Sequence, residues 1–165
     1  MKNKIYIIPG FGESCREARY KALAKILQVK GYNVLPVSPD WYKPFSKAVF
    51  QPSKNAILIG FSFGAVIAYL VAKKYKCQKI ILASLSPIHT FSYASLVKDY
   101  AEHMEQNQSQ KNAKDIKKIK INLKKLETPF VTLAGKREKM NADILVPRTG
   151  HYMTKTYIAS ISKLL

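Results

Sequence analysis

The sequence is poor in cysteine and in long apolar runs. Its two cysteines, Cys15 and Cys77, form neither a Cys-x-x-Cys pair nor a cluster with histidine, which excludes a disulfide scaffold and a structural zinc site. The longest apolar run, residues 65–72, has eight residues, whereas a helix that crosses a bilayer needs about 20. We therefore predict no membrane span, and we expect any chemistry to come from side chains without a metal or cofactor.

Acidic residues and arginine are also scarce. Asp and Glu number 10 against 28 for Lys and Arg, which gives a formal net charge of +18. Arginine reads guanine edges and holds phosphates in bidentate fashion, and only four are present: Arg16, Arg19, Arg137 and Arg148. Because the lysines are spread along the whole chain, we predict no specific nucleic-acid site. The charge favours at most weak, nonspecific association with polyanions or anionic lipid.

The amino terminus lacks the features of a secretory signal. Lysines are followed by a short apolar stretch that Pro9 interrupts, and no small-residue cleavage site follows. We therefore expect a cytoplasmic protein. At 165 residues, 47% of them hydrophobic, the chain fits a single globular domain over residues 1–165.

Short apolar runs alternate with helix-like stretches. The runs, rich in Ile, Val and Leu, cover residues 5–8, 34–37, 56–59, 80–83, 130–133 and 144–146. The helix-like stretches cover residues 17–30, 64–75 and 153–165. Unbroken apolar runs are typical of strands buried on both faces, and their alternation with helices favours a parallel sheet. The pattern predicts an α/β fold with three layers, α/β/α, around a mostly parallel sheet of about six strands.

The long interval between the fourth and fifth predicted strands predicts a short helical insertion at about residues 88–127. Its first half, residues 91–106, has apolar residues at roughly helical spacing. Its second half has Ile116, Ile119, Leu123 and Leu126 at positions i, i+3, i+7 and i+10. We predict two amphipathic helices that are joined by a polar linker at residues 107–111.

The segment Gly60-Phe61-Ser62-Phe63-Gly64 joins a predicted buried strand directly to a predicted helix. A serine on such a sharp bend has a strained backbone, and side chains two residues to either side would collide with the neighbouring strand and helix. The two glycines therefore fit a turn that presents Ser62. The alternative interpretations are a phosphate-binding turn or a merely tight turn.

With this turn, the chain resembles the α/β-hydrolase family in its small, single-domain, esterase-like form. The resemblance covers nearly all of the 165 residues. It implies that Ser62 is a nucleophile, followed in chain order by an acid after a later strand and by a histidine after the last strand.

Three histidines are available for the implied base. His151 follows the last predicted strand as Gly150-His151, where the family places its general base, so the resemblance implies that role for His151. His103 falls in a polar helical stretch and is interpreted as a surface residue. His89 lies beyond the carboxyl end of a strand and is expected to border the site.

Two carboxylates beyond Glu127 are candidates for the acid. Residues 130–138 match the family's strand followed by Gly-x-x-Asp, with Glu138 in place of the commoner aspartate. The resemblance therefore implies that Glu138 orients His151. Asp143 is the alternative acid, and its other interpretation is that of a residue that merely starts the next strand.

The loop after the first strand reads Pro9-Gly10-Phe11-Gly12 where the family has His-Gly-x-Gly. The resemblance implies that the backbone N–H groups of Phe11 and Phe63 form an oxyanion hole. A plain strand-to-helix turn is the alternative interpretation of this loop.

An apolar pocket for an acyl group is expected beside the nucleophile. The insertion follows the carboxyl end of a strand, which is where ligands bind in α/β sheets. We predict that Phe61, Phe91 and His89 line this pocket. Trp41 is a further candidate that fits the core equally well.

Together these residues predict a serine hydrolase that cleaves a carboxylic ester or thioester through a Ser-His-acid triad and an acyl-enzyme intermediate. The expected partner is a small acyl ester or thioester substrate. Amidase or peptidase chemistry on the same triad is one alternative. The other is a non-catalytic binding module that keeps this fold and uses its basic surface. Reaction with serine-directed probes distinguishes a hydrolase from a binding module.

Overall fold

The described part of the chain, residues 3–85, 93–102 and 105–165 of a computed structural model, forms a sheet of six parallel strands. The strands are β1 (Lys4–Ile8), β2 (Asn33–Pro36), β3 (Ile57–Phe61), β4 (Lys79–Ala83), β5 (Phe130–Gly135) and β6 (Ile144–Val146). Their order across the sheet is β2-β1-β3-β4-β5-β6, and each neighbouring pair is parallel. Each observed strand begins and ends within two residues of a predicted apolar run.

Helices cover both faces of the sheet. They are α1 (Ala18–Val29), α2 (Phe63–Lys74), α3 (Tyr93–Ala101), α4 (Gln106–Lys118) and α5 (Lys155–Ser162). One apolar core contains buried residues of the sheet and of α2, α3 and α4. The other core lies between the opposite face of the sheet and the pair α1 and α5. The predicted three-layer α/β fold is confirmed.

The central strand β3 shows why the fold takes this form. All five of its side chains are buried, so the strand has no polar face and must be covered on both sides. The helix that follows it, α2, is also buried over most of its surface. Such a helix needs apolar partners beyond the sheet, and buried residues of α3 and α4 belong to the same apolar cluster.

The predicted linker at residues 107–111 is wrong, because α4 runs without a break from Gln106 to Lys118. Its buried face consists of Ser109, Asn112, Ala113 and Ile116, which lie at helical spacing but are mostly polar or small. The Ser109 hydroxyl donates to the Glu105 carbonyl at 3.0 Å, and the Asn112 amide donates to the Tyr42 carbonyl at 3.1 Å. These bonds allow polar side chains to be buried. The buried face of the first half of α4 is therefore not marked by apolar residues at helical spacing in the sequence.

The apolar residues beyond Ile116 do not continue that helix. Ile119 has an extended backbone and ends α4. Leu123 begins a separate 3-10 turn, Leu123–Lys125. Within the ranges given above, no helix combines the length and the apolar character that a membrane span requires.

Candidate active site

Ser62 occupies the sharp turn between β3 and α2. Its backbone has φ 55° and ψ −122°, a conformation that costs a residue with a side chain about 1–3 kcal/mol. The surrounding backbone leaves no room for Cβ atoms on the two flanking glycines. A Cβ on Gly60 would lie 2.3 Å from the Gly64 carbonyl oxygen, and a Cβ on Gly64 would lie 2.2 Å from the Pro9 carbonyl oxygen. Packing therefore requires both glycines at the turn that presents Ser62.

His151 lies on the loop between β6 and α5, and its ring bridges two side chains. Nε2 lies 2.8 Å from Ser62 Oγ, and Nδ1 lies 2.8 Å from Glu138 Oε2. Because an ionised carboxylate only accepts hydrogen bonds, Nδ1 carries the proton and Nε2 is left to accept from the serine hydroxyl. The imidazole packs against the Phe61 ring at 5.4 Å between centroids. Its side chain is 49% exposed, so solvent reaches the side of the ring that Phe61 does not cover.

Glu138 ends a short 3-10 turn after β5, and its side chain is only 5% exposed. Its second carboxylate oxygen, Oε1, accepts hydrogen bonds from the Gly135 N–H at 2.6 Å and from the Ser84 hydroxyl at 2.7 Å. A buried carboxylate is stable only where its oxygens are hydrogen-bonded. Glu138 meets this requirement through three partners, of which His151 is one.

The loop that carries the acid is packed directly on the loop that carries the histidine. The Arg137 N–H donates to the Thr149 carbonyl at 2.8 Å. A Cβ on Gly135 would lie 2.4 Å from the Gly150 carbonyl oxygen, so the two backbones touch at this glycine. This close approach brings a glutamate to the histidine at a position where the resemblance leads one to expect an aspartate.

Asp143, the alternative acid, is engaged elsewhere. Its Oδ2 accepts hydrogen bonds from the N–H and the hydroxyl of Thr132, both at 2.8 Å, and its own N–H donates to Thr132 Oγ1 at 2.8 Å. These bonds attach the start of β6 to β5. The structure therefore places Glu138, and not Asp143, against His151.

Two hydroxyl groups that the sequence analysis missed lie behind the acid. Ser84 is fully buried immediately after β4 and has φ 46°. Its Oγ lies 2.9 Å from the hydroxyl of Tyr157 on α5, and that hydroxyl also donates to the Leu133 carbonyl at 2.9 Å. Ser84 is 54 residues away from Glu138 in the sequence, so no local pattern identifies the contact.

The loop after β1 is held by Glu13 and Tyr20. The Gly10 N–H lies 3.0 Å from both Glu13 Oε2 and the Tyr20 hydroxyl, and that hydroxyl donates to the same carboxylate oxygen. Burial and the Glu13 carboxylate raise the pKa of Tyr20 far above its usual range, so the phenol remains a donor. These bonds fix the backbone immediately before Phe11, the residue predicted to donate to an oxyanion.

Arg19 connects this loop to the histidine loop. Its guanidinium lies 2.8 Å from Glu13 Oε1 and packs over the Tyr152 ring at 4.9 Å from the centroid. The side chain of Arg19 is 17% exposed. Because Tyr152 follows His151 directly, one partly buried cation contacts both loops that border Ser62.

An aromatic cluster begins at Ser62 on the α2 side of the sheet. Phe63, the first residue of α2, contacts Phe11 and Phe45 at 5.8 and 5.6 Å between ring centroids. Phe11 also contacts Trp41 at 5.5 Å and Tyr100 of α3 at 5.0 Å. The predicted insertion therefore reaches the predicted oxyanion loop through Tyr100. Trp41 is half-buried in this cluster.

Phe61 lies on the opposite face of the sheet, and its predicted place in the acyl pocket is corrected. Side chains alternate between the two faces along a strand, and Phe61 belongs to the core with α1 and α5. It is 2% exposed and contacts Tyr157 at 5.8 Å between ring centroids, in addition to His151. Its side chain therefore supports the imidazole from the core side.

The other predicted residues around the pocket lie outside the described residues. These are His89 and Phe91, and His103 lies outside as well. Across residues 3–85, 93–102 and 105–165, no group of three or more His, Cys, Asp or Glu residues has the arrangement to hold a metal ion.

Comparison with known proteins gives matches at the level of solved structures. No family model matches the chain, and no curated protein matches it. A putative hydrolase from Agrobacterium vitis S4 superposes with a TM-score of 0.68 at 13% identity, over 99% of this chain and 86% of that one. Alpha/beta hydrolase domain-containing protein 10 from mouse gives 0.63 at 13% identity, over 98% and 87%. A lipase-esterase related protein from Clostridium acetobutylicum ATCC 824 gives 0.61 at 17% identity, over 98% and 92%.

These similarities extend over nearly the whole of each chain, although sequence identity is low. They agree with the six-stranded parallel sheet and the helices that cover it. The protein therefore has the α/β-hydrolase fold.

Proposed function

We propose that this protein is a serine hydrolase that cleaves a carboxylic ester or thioester. The observation that carries the proposal is the unbroken line of side chains in which Ser62 Oγ, the His151 ring and the Glu138 carboxylate are joined by two contacts of 2.8 Å. An isolated serine hydroxyl is a weak nucleophile. A base within hydrogen-bond distance, itself oriented by a third group, is the arrangement that activates it.

The first half of the reaction forms an acyl-enzyme. Ser62 Oγ attacks the carbonyl carbon while His151 Nε2 takes the hydroxyl proton, and the Glu138 carboxylate stabilises the imidazolium that results. When the tetrahedral intermediate collapses, the bond to the leaving oxygen or sulfur breaks. His151 then returns the proton to that leaving group, which departs as an alcohol or thiol.

The second half of the reaction releases the acid. Water attacks the acyl carbon while His151 Nε2 takes one of its protons. The Ser62 oxygen leaves with the proton returned by the imidazole, and the product is a carboxylic acid. The partial exposure of the imidazole supports this step, because water has access to the base.

In this proposal the backbone N–H groups of Phe11 and Phe63 hold the oxyanion. Phe63 is the first residue of α2, and the first turn of a helix points its N–H groups outward at the positive end of the helix dipole. Gly10, which precedes Phe11, is anchored by Glu13 and Tyr20. Donors that are fixed in advance stabilise developing charge without reorganisation, which is what an oxyanion hole requires.

The aromatic cluster beside Ser62 supports an apolar acyl group as the substrate. Phe11 and Phe63 contribute both the proposed donors and two rings of this cluster, so an acyl chain that placed its carbonyl oxygen there would lie near aromatic rings. We therefore propose esters or thioesters with apolar acyl chains.

Turnover of chromogenic esters and thioesters tests the proposal. Acetyl, butyryl and octanoyl p-nitrophenyl esters, the matching thioesters and the matching p-nitroanilides are compared on wild type and Ser62→Ala. Hydrolysis of esters or thioesters that Ser62→Ala lowers by about 10³-fold or more is expected. Faster cleavage of the anilides would assign an amidase instead.

Ser14→Ala is the matched control in this experiment. Ser14 is exposed on the loop that follows the predicted oxyanion residues, and its hydroxyl accepts from the Arg16 N–H at 3.2 Å. Loss of this hydroxyl should leave turnover unchanged. Turnover by Ser62→Ala at the wild-type rate would refute the proposal, and salt-sensitive binding to polyanions with no turnover by wild type would favour the binding module.

A further inference from the structure

Behind Glu138 lies a chain of hydroxyl groups that the proposed reaction does not use. Ser84 Oγ is 2.7 Å from Glu138 Oε1 and 2.9 Å from the Tyr157 hydroxyl. The Tyr157 hydroxyl is in turn 2.9 Å from the Leu133 carbonyl. Both side chains are fully buried, with exposures of 0% for Ser84 and Tyr157, so bulk water does not compete for these bonds.

The number of available protons determines which group donates in each of these hydrogen bonds. An ionised Glu138 can only accept hydrogen bonds, so the single hydroxyl proton of Ser84 is donated to Oε1. Ser84 Oγ is then an acceptor toward Tyr157. Burial raises the pKa of Tyr157 far above its usual range, so this phenol keeps its proton and shares it between Ser84 Oγ and the Leu133 carbonyl. Donation therefore runs from Tyr157 to Ser84 to Glu138, and each bond polarises the next.

The backbone at Ser84 is strained in a way that serves this contact. Ser84 has φ 46°, the left-handed region that glycine occupies without cost and serine does not. Its N–H donates to the Leu133 carbonyl at 2.7 Å, which fixes the residue against β5, the strand that leads to Glu138. A glycine would satisfy the backbone better, so the side chain is what this position gains from serine.

A glutamate needs such support more than an aspartate does. Its side chain has one more rotatable bond, and holding it in a single rotamer costs more conformational entropy. Oε1 is bonded to Gly135 from its own turn and to Ser84 from the neighbouring strand end. Two donors on one oxygen leave Oε2 directed at His151 Nδ1, 2.8 Å away.

We propose that Ser84 is a positioning residue for the acid of the triad, with Tyr157 as the donor that holds Ser84 in turn. This inference rests on the proposed function for its effect on rate, and on geometry alone for its effect on His151. Tyr157 acts on both partners, because its ring also contacts Phe61, which lies against the imidazole. The helix α5 thereby supports the acid through a hydroxyl and the base through a ring.

Ser84→Gly tests the proposal because it removes the hydroxyl while it relieves the backbone strain. Stability against heat should be retained, whereas kcat for the best ester should fall about tenfold with KM unchanged, the effect of losing one hydrogen bond to a charged group. In a Glu138→Gln background the same substitution should change kcat by less than about twofold, since the carboxylate that it positions is gone. A tenfold loss that persists in that background would show a merely structural role and overturn the proposal.

Tyr157→Phe provides the matched second variant, because it keeps the ring on Phe61 and removes only the hydroxyl. It should lower kcat about threefold in the wild-type background and not at all in the Ser84→Gly background. Equal losses in both backgrounds would show that Tyr157 acts independently of Ser84.

The NMR signal of the His151 Nδ1 proton separates this inference from the proposed function. The proton should be visible in wild type, lost in Glu138→Gln, and in faster exchange with water in Ser84→Gly. If wild type hydrolyses none of the substrates but the signal behaves in this way, the proposed function fails and the positioning role stands. If Ser84→Gly leaves both the signal and kcat as in wild type, the positioning role fails.

Discussion

At the level of single residues, the carboxylate of Glu138 has to be charged, buried and oriented toward His151 Nδ1 at the same time. Its 5% exposure removes water as a partner, and the bonds to Gly135, Ser84 and His151 take the place of that water. Charge-assisted hydrogen bonds of this kind are stronger than neutral ones. The acid therefore both orients the imidazole and binds together three segments of chain.

Glu138→Gln should lower kcat by about 10³–10⁴-fold with little change in KM. The amide is neutral and cannot stabilise an imidazolium, and its NH₂ group can take the place next to Nδ1 and favour the wrong tautomer. Steady-state kinetics on the ester identified above measure the effect. Asp143→Asn is the control and should keep kcat, since Asp143 bonds only to Thr132 among its described partners; a larger loss in Asp143→Asn than in Glu138→Gln would assign the acid to Asp143.

Cys15 is predicted to react slowly with alkylating agents. Burial, followed by weaker effects that include Glu17 and Glu13, raises the pKa of this thiol to about 11, and its S–H donates to the Ile7 carbonyl at 3.3 Å. Because the thiolate is the reactive form, iodoacetamide labelling of a Cys77→Ser variant should rise about tenfold per pH unit between about pH 8 and pH 10. A rate that levels off near pH 9, as for an ordinary thiol, would contradict the burial of Cys15.

Local sequence patterns identify the residues proposed to react, but they do not identify the residues that support them. Ser62 and His151 stand in short local patterns, and the structure places their side chains 2.8 Å apart. Glu138 was predicted with Asp143 left open, and contact with His151 distinguishes the two. Ser84 and Tyr157 have no local signature, because the contacts of Ser84 with Glu138 and with Tyr157 join residues 54 and 73 positions apart.

At the scale of elements, the turn between β3 and α2 depends on how closely backbones approach each other. A Cβ on Gly64 would lie 2.2 and 2.3 Å from the carbonyl oxygens of Pro9 and Ile8. These atoms belong to the end of β1 and to the loop of the proposed oxyanion hole. The start of α2 is therefore packed against the very backbone that must hold Phe11 in place.

Gly64→Ala should destabilise the fold and move the proposed oxyanion loop. Relief of these contacts needs a backbone shift, and overpacking of this kind costs about 3 kcal/mol. Gly31→Ala is the matched control, because Gly31 has φ 92° but open space around its Cβ position and should cost about 1 kcal/mol. Thermal unfolding measures both. Equal shifts in Tm for the two variants would mean that β1 and α2 do not touch at Gly64.

Element prediction succeeded where burial and hydrophobicity coincide. The central strands β3 and β4 are buried along nearly their whole length, so their apolar runs are visible in the sequence, and the predicted sheet follows from such runs. Helix α4 buries Ser109 and Asn112, whose polar groups are satisfied by carbonyls of Glu105 and Tyr42. A hydrophobic period cannot reveal such a face, so the sequence predicts a linker over residues 107–111, where the first half of α4 lies.

At the scale of the whole molecule, the net charge of +18 gives the protein a positive field. Such a field attracts anionic substrates and speeds their encounter with the site, and salt screens it. The formal charge of +18 already includes the carboxylates at the site, Glu13 and Glu138.

Salt should therefore slow the cleavage of an anionic ester more than that of a neutral one. Between about 0.01 M and 1 M salt the Debye length falls from about 30 Å to about 3 Å, and kcat/KM for an ester with a terminal carboxylate should fall about tenfold. A neutral ester of the same length is the control and should change little. Equal salt dependence for the two esters would show that the charge does not act on substrate encounter.

If Ser62 is an activated nucleophile, its hydroxyl reacts with a fluorophosphonate, whereas an ordinary serine does not. The purified protein and Ser62→Ala are incubated with the probe, and intact mass and peptide mapping locate any adduct. One adduct per wild-type chain is expected, located on Ser62, and none on the variant. A folded wild type that forms no adduct, or an adduct that persists in Ser62→Ala, would contradict the activation of Ser62.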